Sequence, residues 1–164
     1  MAEHHVYFAI FGFDDEPLSL TLLAGIEPDD IWRKGEHYSD ALPEATRTEN
    51  RWIISSGLDH YASHRDHFEK LILKLERLGP ALALLRERYR SGIGVSQYYF
   101  MDDPTFYLSN ELLQRFHALA LPISFTQLAL DNPVPPPESG NSSTEINSDH
   151  YSDHHTESHH GDRD

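Results

Sequence analysis

Histidines are the residues of this chain whose spacing most readily suggests chemistry. His60, His64 and His67 lie at i, i+4 and i+7, which places three imidazoles on one face of an α-helix if the helix begins early enough. Imidazole nitrogen is a good ligand for zinc or nickel, and Asp59 or Asp66 could add a carboxylate. The spacing therefore allows a weak divalent-metal site, although a polar first helical turn explains the same residues without any metal.

A second group of histidines lies near the C-terminus, where it alternates with aspartate and glutamate. In an unfolded segment, such side chains bind borderline divalent ions weakly and in many geometries. We expect either weak metal binding there or a solvated polar segment without a specific role. The histidines of this group are His150, His154, His155, His159 and His160.

Acidic residues occur in short runs beside prolines at the ends of predicted elements. Paired carboxylates act as general acid and base only when they face one cavity, and adjacent acids beside proline are more typical of helix caps and turns. The sequence has no Gly-x-Ser-x-Gly elbow, no Gly-Lys-Ser/Thr phosphate loop and no cysteine. These features predict a protein that is not an enzyme.

The charge balance favours a basic protein partner. The chain carries 27 acidic and 13 basic residues, a formal net charge of −14. This balance argues against nucleic acid and against anionic membranes, both of which require clustered lysine and arginine. It would steer a basic protein towards the surface. The candidate partner-binding residues, at two element ends where charge concentrates, are Asp14, Asp15, Glu16, Asp29 and Asp30.

The same composition bears on location. No apolar run approaches the roughly 20 residues of a transmembrane helix. Glu3 occupies the region where a signal peptide carries positive charge, and the lack of cysteine excludes disulfides and thiolate metal sites. We therefore expect a soluble, cytoplasmic protein.

Hydrophobic patterning predicts the elements that position these residues. Strands are predicted over residues 5–13, 50–56, 91–101 and 123–130, with an optional short strand over 105–108. Helices are predicted to begin at Pro17, near Asp59, at Pro80 and after Ser109, with one further helical turn over 27–32. The order β-α-β-α-β-(β)-α-β predicts an α+β fold, a two-layer sandwich in which helices pack on one mixed sheet.

Composition changes sharply near Leu130, which divides the chain into two parts. Residues 1–131 form the predicted α+β domain, with a net charge of −8. Residues 132–164 are first proline-rich and then rich in histidine and aspartate, with a net charge of −6. The second part has too few apolar side chains to offset the entropy of ordering, so we predict a disordered tail.

Two sequence stretches carry a resemblance to a known family. The first is Ile-x-Pro-x-x-x-Trp-x-x-Gly, from Ile26 to Gly35, and the second is Leu-Ser-x-Glu-Leu-Leu, from Leu108 to Leu113. With the surrounding pattern over roughly residues 5–130, they resemble an uncharacterised bacterial family, domain of unknown function 4279. The resemblance implies no reaction.

Two functional hypotheses follow. The first is a non-enzymatic protein-binding module, in the form of an immunity-type inhibitor of a basic toxin, because small acidic proteins of this general kind act beside toxins. The alternative is a divalent-metal-binding accessory protein that uses the clustered histidines. Fold-level analogy supports the first hypothesis only by association.

Removal of the tail should leave the fold intact. Residues 132–164 bury little apolar surface, so a chain ending at residue 131 should unfold within about 1 kcal/mol of the full chain. Urea denaturation of both forms measures this difference. A loss of several kcal/mol would mean that the tail packs on the domain and that the predicted boundary is wrong.

Overall fold

A computed structural model describes residues 2–38, 44–99 and 105–130, which form five strands and four helices. The strands are β1 (Ala2–Phe11), β2 (Asp30–Trp32), β3 (Arg51–Ser55), β4 (Arg90–Tyr99) and β5 (Ile123–Ala129). The helices are α1 (Pro17–Ala24), α2 (His64–Leu78), α3 (Pro80–Arg88) and α4 (Asn110–Leu119). The segment predicted to be a disordered tail lies outside the described residues.

The sheet has the strand order β2-β3-β1-β4-β5. β1 pairs antiparallel with β3 and with β4, and β5 runs parallel to β4. A parallel pair needs a crossover connection, and the connection here contains α4. This mixed sheet with packed helices confirms the predicted α+β sandwich.

The main core lies between the helices and one face of the sheet. Val6, Phe8 and Ile10 share this face of β1 because side chains alternate along a strand, and all three are buried. Apolar residues of α2 recur at helical spacing and pack onto them. The α2 members of the core are Phe68, Leu71, Ile72, Leu75 and Leu78. None of the described helices is long and apolar enough to cross a membrane.

None of the described helices packs on the opposite face of the sheet. Tyr7, Ala9 and Phe11 of β1 point to it by the same alternation. Ala9 is buried, while Tyr7 and Phe11 are partly exposed. We call this surface the open face.

Helix α2 begins later than the sequence predicts. The expected start near Asp59 is wrong, because Asp59 Oδ1 accepts a hydrogen bond from the Tyr61 backbone N–H at 2.9 Å and stabilises a turn instead. The helix starts at His64, where Ser63 acts as N-cap and its side chain accepts from the backbone N–H of Asp66.

Two further elements differ from the prediction. The helical turn expected over 27–32 is wrong, because residues 30–32 form β2 along the edge of β3, and Asp30 accepts from Trp32 Nε1 at 2.6 Å. The optional strand over 105–108 is also wrong, because these residues, which the structure describes, form no strand. There the backbone N–H of Tyr107 lies 3.3 Å from His64 Nε2 and donates to the ring rather than to a strand.

Two leucines of α2 test the packing of the helices on the sheet. Leu75 is fully buried, whereas Leu73 on the same helix is 44% exposed. Leu75→Ala should destabilise the fold by about 2–5 kcal/mol, through lost burial and a residual cavity. Leu73→Ala should change stability by only about 0.5 kcal/mol. Urea unfolding of both variants provides the comparison, and equal effects would contradict the assignment of the core face.

Candidate functional site

A cleft of about 570 Å³ lies where β1 begins and where β3 and β4 end. Its position follows from the register, in which Tyr7 of β1 lies opposite Ser55 of β3 and Gly94 of β4. The loop after β3 supplies another wall through Asp59 and His60. The volume falls within the range of about 300–1,000 Å³ that is usual for small-molecule sites.

Three carboxylates line the cleft, and each has partners within the chain. Asp29 Oδ2 accepts from the Ser55 backbone N–H at 2.8 Å and lies 3.4 Å from Lys74 Nζ. The carboxylate of Asp30 accepts from the Ile31 backbone N–H and from the indole of Trp32. These bonds fix the carboxylates at the rim, and the only ion pair among them in the described residues joins Asp29 to Lys74.

Aromatic rings form much of the remaining wall. The Tyr7 ring lies across Gly94, where a Cβ atom would overlap it. The rings of His5 and Tyr98 meet edge to face at 5.6 Å, and those of His5 and His60 stack at 6.1 Å between centroids. Glycine at position 94 therefore permits the Tyr7 ring to lie flat on the sheet beside the cleft.

Ser56 and His67 meet in the interior at the base of the cleft. Ser56 Oγ and His67 Nδ1 are 2.6 Å apart, the contact that an activated nucleophile and its base would make. Both residues are buried, and Ser56 is also held by Leu58, whose backbone N–H donates to Oγ at 3.3 Å. The pair therefore ties the end of β3 to the first turn of α2.

Histidine rings are packed together beside this pair. The ring centroid of His4 lies 5.6 Å from that of His64 and 6.4 Å from that of His67. His4 Nδ1 and His67 Nε2 are buried and have no hydrogen-bond partner in the described part of the chain. We call His4, His5, His60, His64 and His67 the histidine cluster.

Burial lowers the pKa of two members of the cluster. The pKa of His4 is lowered first by burial and then by charge repulsion from His64, His67 and His5. Burial also lowers the pKa of His67, although the nearby backbone of Asp59 favours the protonated ring. Both rings are therefore neutral at pH 7.

The predicted metal site is not assembled as expected. His60 precedes α2, so the three histidines do not share one helical face. Within residues 2–38, 44–99 and 105–130, no group of three or more histidine, aspartate or glutamate side chains is arranged to hold a metal ion. The helical basis of the zinc or nickel prediction is therefore wrong, because Ser63 starts the helix after His60, while metal binding by His60, His64 and His67 stays a prediction.

The second predicted metal group has not been tested. His150, His154, His155, His159 and His160 lie outside the described residues. Metal binding by this segment stays a prediction.

The predicted partner-binding acids lie at two separate places. Asp14, Asp15 and Glu16 are exposed in the turn between β1 and α1, where Asp15 accepts from the Tyr89 hydroxyl at 2.7 Å. Asp29 and Asp30 are exposed at the start of β2 and line the cleft. The structure thus brings only the second group into the cleft.

Sequence reasoning missed the other residues of the cleft. Alternation along the first predicted strand places His5 and Tyr7 on one face, and alternation along the strand after α3 does the same for Tyr98. That signal was available in the sequence. The neighbours across the sheet could not be inferred, because they depend on strand order.

Protonation of His4 and His67 should weaken the fold. The folded-state pKa values of His4 and His67 lie below the ordinary value of 6.5, so the unfolded chain binds more protons in acid. Their contribution to stability is complete above about pH 6.5 and is lost as the pH falls through the folded-state values. The free energy of unfolding in urea should therefore decrease between pH 7.5 and pH 5.

Substitution of His4 and His67 tests whether their protonation causes this loss of stability. In the double variant His4→Gln, His67→Gln, the decrease with falling pH should become smaller. His117→Gln changes an exposed histidine of α4 and serves as the control with the original slope. If the free energy of unfolding of the double variant falls with pH as steeply as that of the original chain, groups other than His4 and His67 cause the decrease.

Comparisons with known proteins identify the family. No curated protein and no solved structure matches the chain. The model of the family described as Domain of unknown function (DUF4279) matches residues 2–130, which include every strand and helix of the described fold and the whole cleft. The match covers most of the 164 residues, and the chain belongs to the DUF4279 family.

Proposed function

We propose that this chain is a non-enzymatic protein-binding module that uses β5 as its docking edge and binds a basic partner. The observation that carries this proposal is the position of β5 at the end of the described sheet. The strand pairs with β4 along one side and is the last strand in the sheet order. No described strand pairs with its other side, and this is where we propose that a partner strand is added.

The sequence of β5 lacks the features that usually protect a sheet edge. Ile-Ser-Phe-Thr-Gln-Leu-Ala contains no charged residue and no proline. Natural edge strands are commonly guarded by lysine, proline or a bulge, because an unguarded edge pairs with other chains. A strand of this composition at the end of the described sheet therefore favours a protein with a regular partner at this position.

Apolar side chains extend the docking surface on both faces of β5. Phe125 is 48% exposed and Leu128 is 45% exposed. The ring of Phe125 lies 5.6 Å from that of Phe106, next to the exposed Tyr107. Exposed apolar side chains at the end of a sheet support a protein interface there.

Charge supports a basic partner. The net charge of −14 raises the rate of encounter with a positively charged protein. Asp14, Asp15, Glu16, Asp29 and Asp30 are all exposed and contribute to this field. An immunity-type inhibitor of a basic toxin is the specific form that we propose, since such a partner needs both steering and a firm docking edge.

The buried position of Ser56 supports a role other than catalysis. Its hydroxyl contacts His67 and the backbone of Leu58, and the residue is only 6% exposed. A nucleophile must reach its substrate, and this one is engaged within the fold.

A charge placed on the docking edge should abolish partner binding. Leu128→Lys adds a cation to β5, whereas Leu22→Lys makes the same change at a leucine of α1 that is 75% exposed. Affinity capture from the native host should recover the partner with the original chain and with Leu22→Lys. Recovery should fall at least about tenfold with Leu128→Lys, which corresponds to about 1.4 kcal/mol.

Salt dependence tests the contribution of charge. The association rate with the captured partner should decrease as ionic strength rises, because screening weakens the long-range attraction. A rate that does not respond to salt would contradict steering. Equal loss of binding in the two lysine variants would contradict β5 as the docking edge.

A further inference from the structure

We propose that the cleft at the start of β1 and the end of β3 binds an organic cation, an alkylammonium or guanidinium group. The cleft is lined by three aspartates, and neither lysine nor arginine is among its lining residues. Lys74 pairs with Asp29 from outside the cleft. Asp30 and Asp59 have no cationic partner among the described residues, so two carboxylates there carry uncompensated charge.

The aromatic wall suits the same class of ligand. Tyr7 and Tyr98 line the cleft and present rings to a group placed between them and the carboxylates. A cation over such a ring is attracted by its quadrupole. The chain already uses this interaction nearby, since the guanidinium carbon of Arg47 lies 3.8 Å from the ring centroid of Trp32. Because the Arg47 guanidinium already covers the Trp32 ring, Tyr7 and Tyr98 are the rings on which a ligand cation would lie.

A buried histidine gives independent evidence for a ligand. His67 lines the cleft and is only 2% exposed. The Asp59 backbone lies near the ring, but Nε2 makes no hydrogen bond of normal geometry in the described part of the chain. An unpaired buried nitrogen carries a desolvation cost unless another group binds it. If Nδ1 bears the proton and donates to Ser56 Oγ, Nε2 is an acceptor for a ligand N–H. A cationic nitrogen supplies such an N–H donor. It also supplies the positive charge that Asp30 and Asp59 lack as a partner.

The cation has two chemical sources. It can be a free amine or guanidine, or the side chain of a lysine or arginine in the partner protein. The first source is independent of the proposed docking at β5, and only the second rests on it. A free cation that binds without any partner therefore supports the site even if protein binding at β5 fails.

Calorimetric titration of the full chain with n-butylguanidinium tests the site. The control ligand is n-butylurea, which has nearly the same shape and no charge. We expect saturable binding of one guanidinium per chain and at least about tenfold weaker binding of the urea, since hydrogen bonds to charged groups are the stronger class. Equal affinity for the two compounds, or no binding of either, would overturn the proposal.

Matched substitutions locate the binding. Asp30→Asn and Asp59→Asn each remove one charge from the cleft while keeping a side-chain oxygen. Asp14→Asn removes the same charge from the turn after β1. Each cleft variant should weaken n-butylguanidinium binding by about tenfold, and Asp14→Asn by less than about twofold. Equal weakening by all three would assign the effect to net charge and overturn the site.

A short peptide, acetyl-Gly-Arg-Gly-amide, separates the two sources. Binding of the peptide with the same sensitivity to Asp59→Asn would support capture of a partner side chain. Exclusion of the peptide while n-butylguanidinium binds would support a free ligand. Circular dichroism of each variant verifies that the fold is retained, and an unfolded Asp30→Asn chain leaves Asp59→Asn as the deciding variant.

Discussion

The arrangement of this protein depends on β1, which is paired along both edges and apolar on both faces. All ten of its residues pair with β4, and Tyr7 to Phe11 also pair with β3 on the other side. Val6, Phe8 and Ile10 bury one face beneath the helices. None of the four described helices covers the other face, and its Tyr7 side chain is accommodated because position 94 is glycine. This unequal cover produces a packed side and an open side with a cleft.

Much of the fold could be predicted from local sequence. Pro17 and Ser109 begin helices as expected, and Ser109 accepts from the backbone N–H of Leu112 at 3.2 Å. Alternation of apolar residues identified β1 and β4. The start of α2 was missed because Asp59 and Ser63 are both good caps, and the sequence alone does not say which one the chain uses. The three residues of β2 were missed because their strand conformation depends on the neighbouring edge of β3.

The candidate site was harder to predict, because it is made by strand order. Asp30, Tyr98 and His67 come from three distant segments, and only the pairing of β2, β3, β1 and β4 brings them to one cleft. Spacing along a helix suggested a metal site for His67, while the fold pairs its Nδ1 with Ser56. Composition did indicate acidity, which the cleft shares through its aspartates.

The docking edge and the cleft are adjacent parts of one surface. In the register of β4 and β5, Tyr98 lies directly opposite Leu128. Tyr98 forms a wall of the cleft, and Leu128 is one of the exposed apolar side chains of β5. Side chains directly opposite each other in neighbouring strands lie on the same face of a sheet. In the order β3-β1-β4-β5, Asp59 lies beyond β5, β4 and β1 from a strand added beside β5, so a cation for the cleft would come from a partner segment that crosses these three strands on the same face. Strand pairing along the backbone would provide affinity for many sequences, and a cation in the cleft would provide the choice among them.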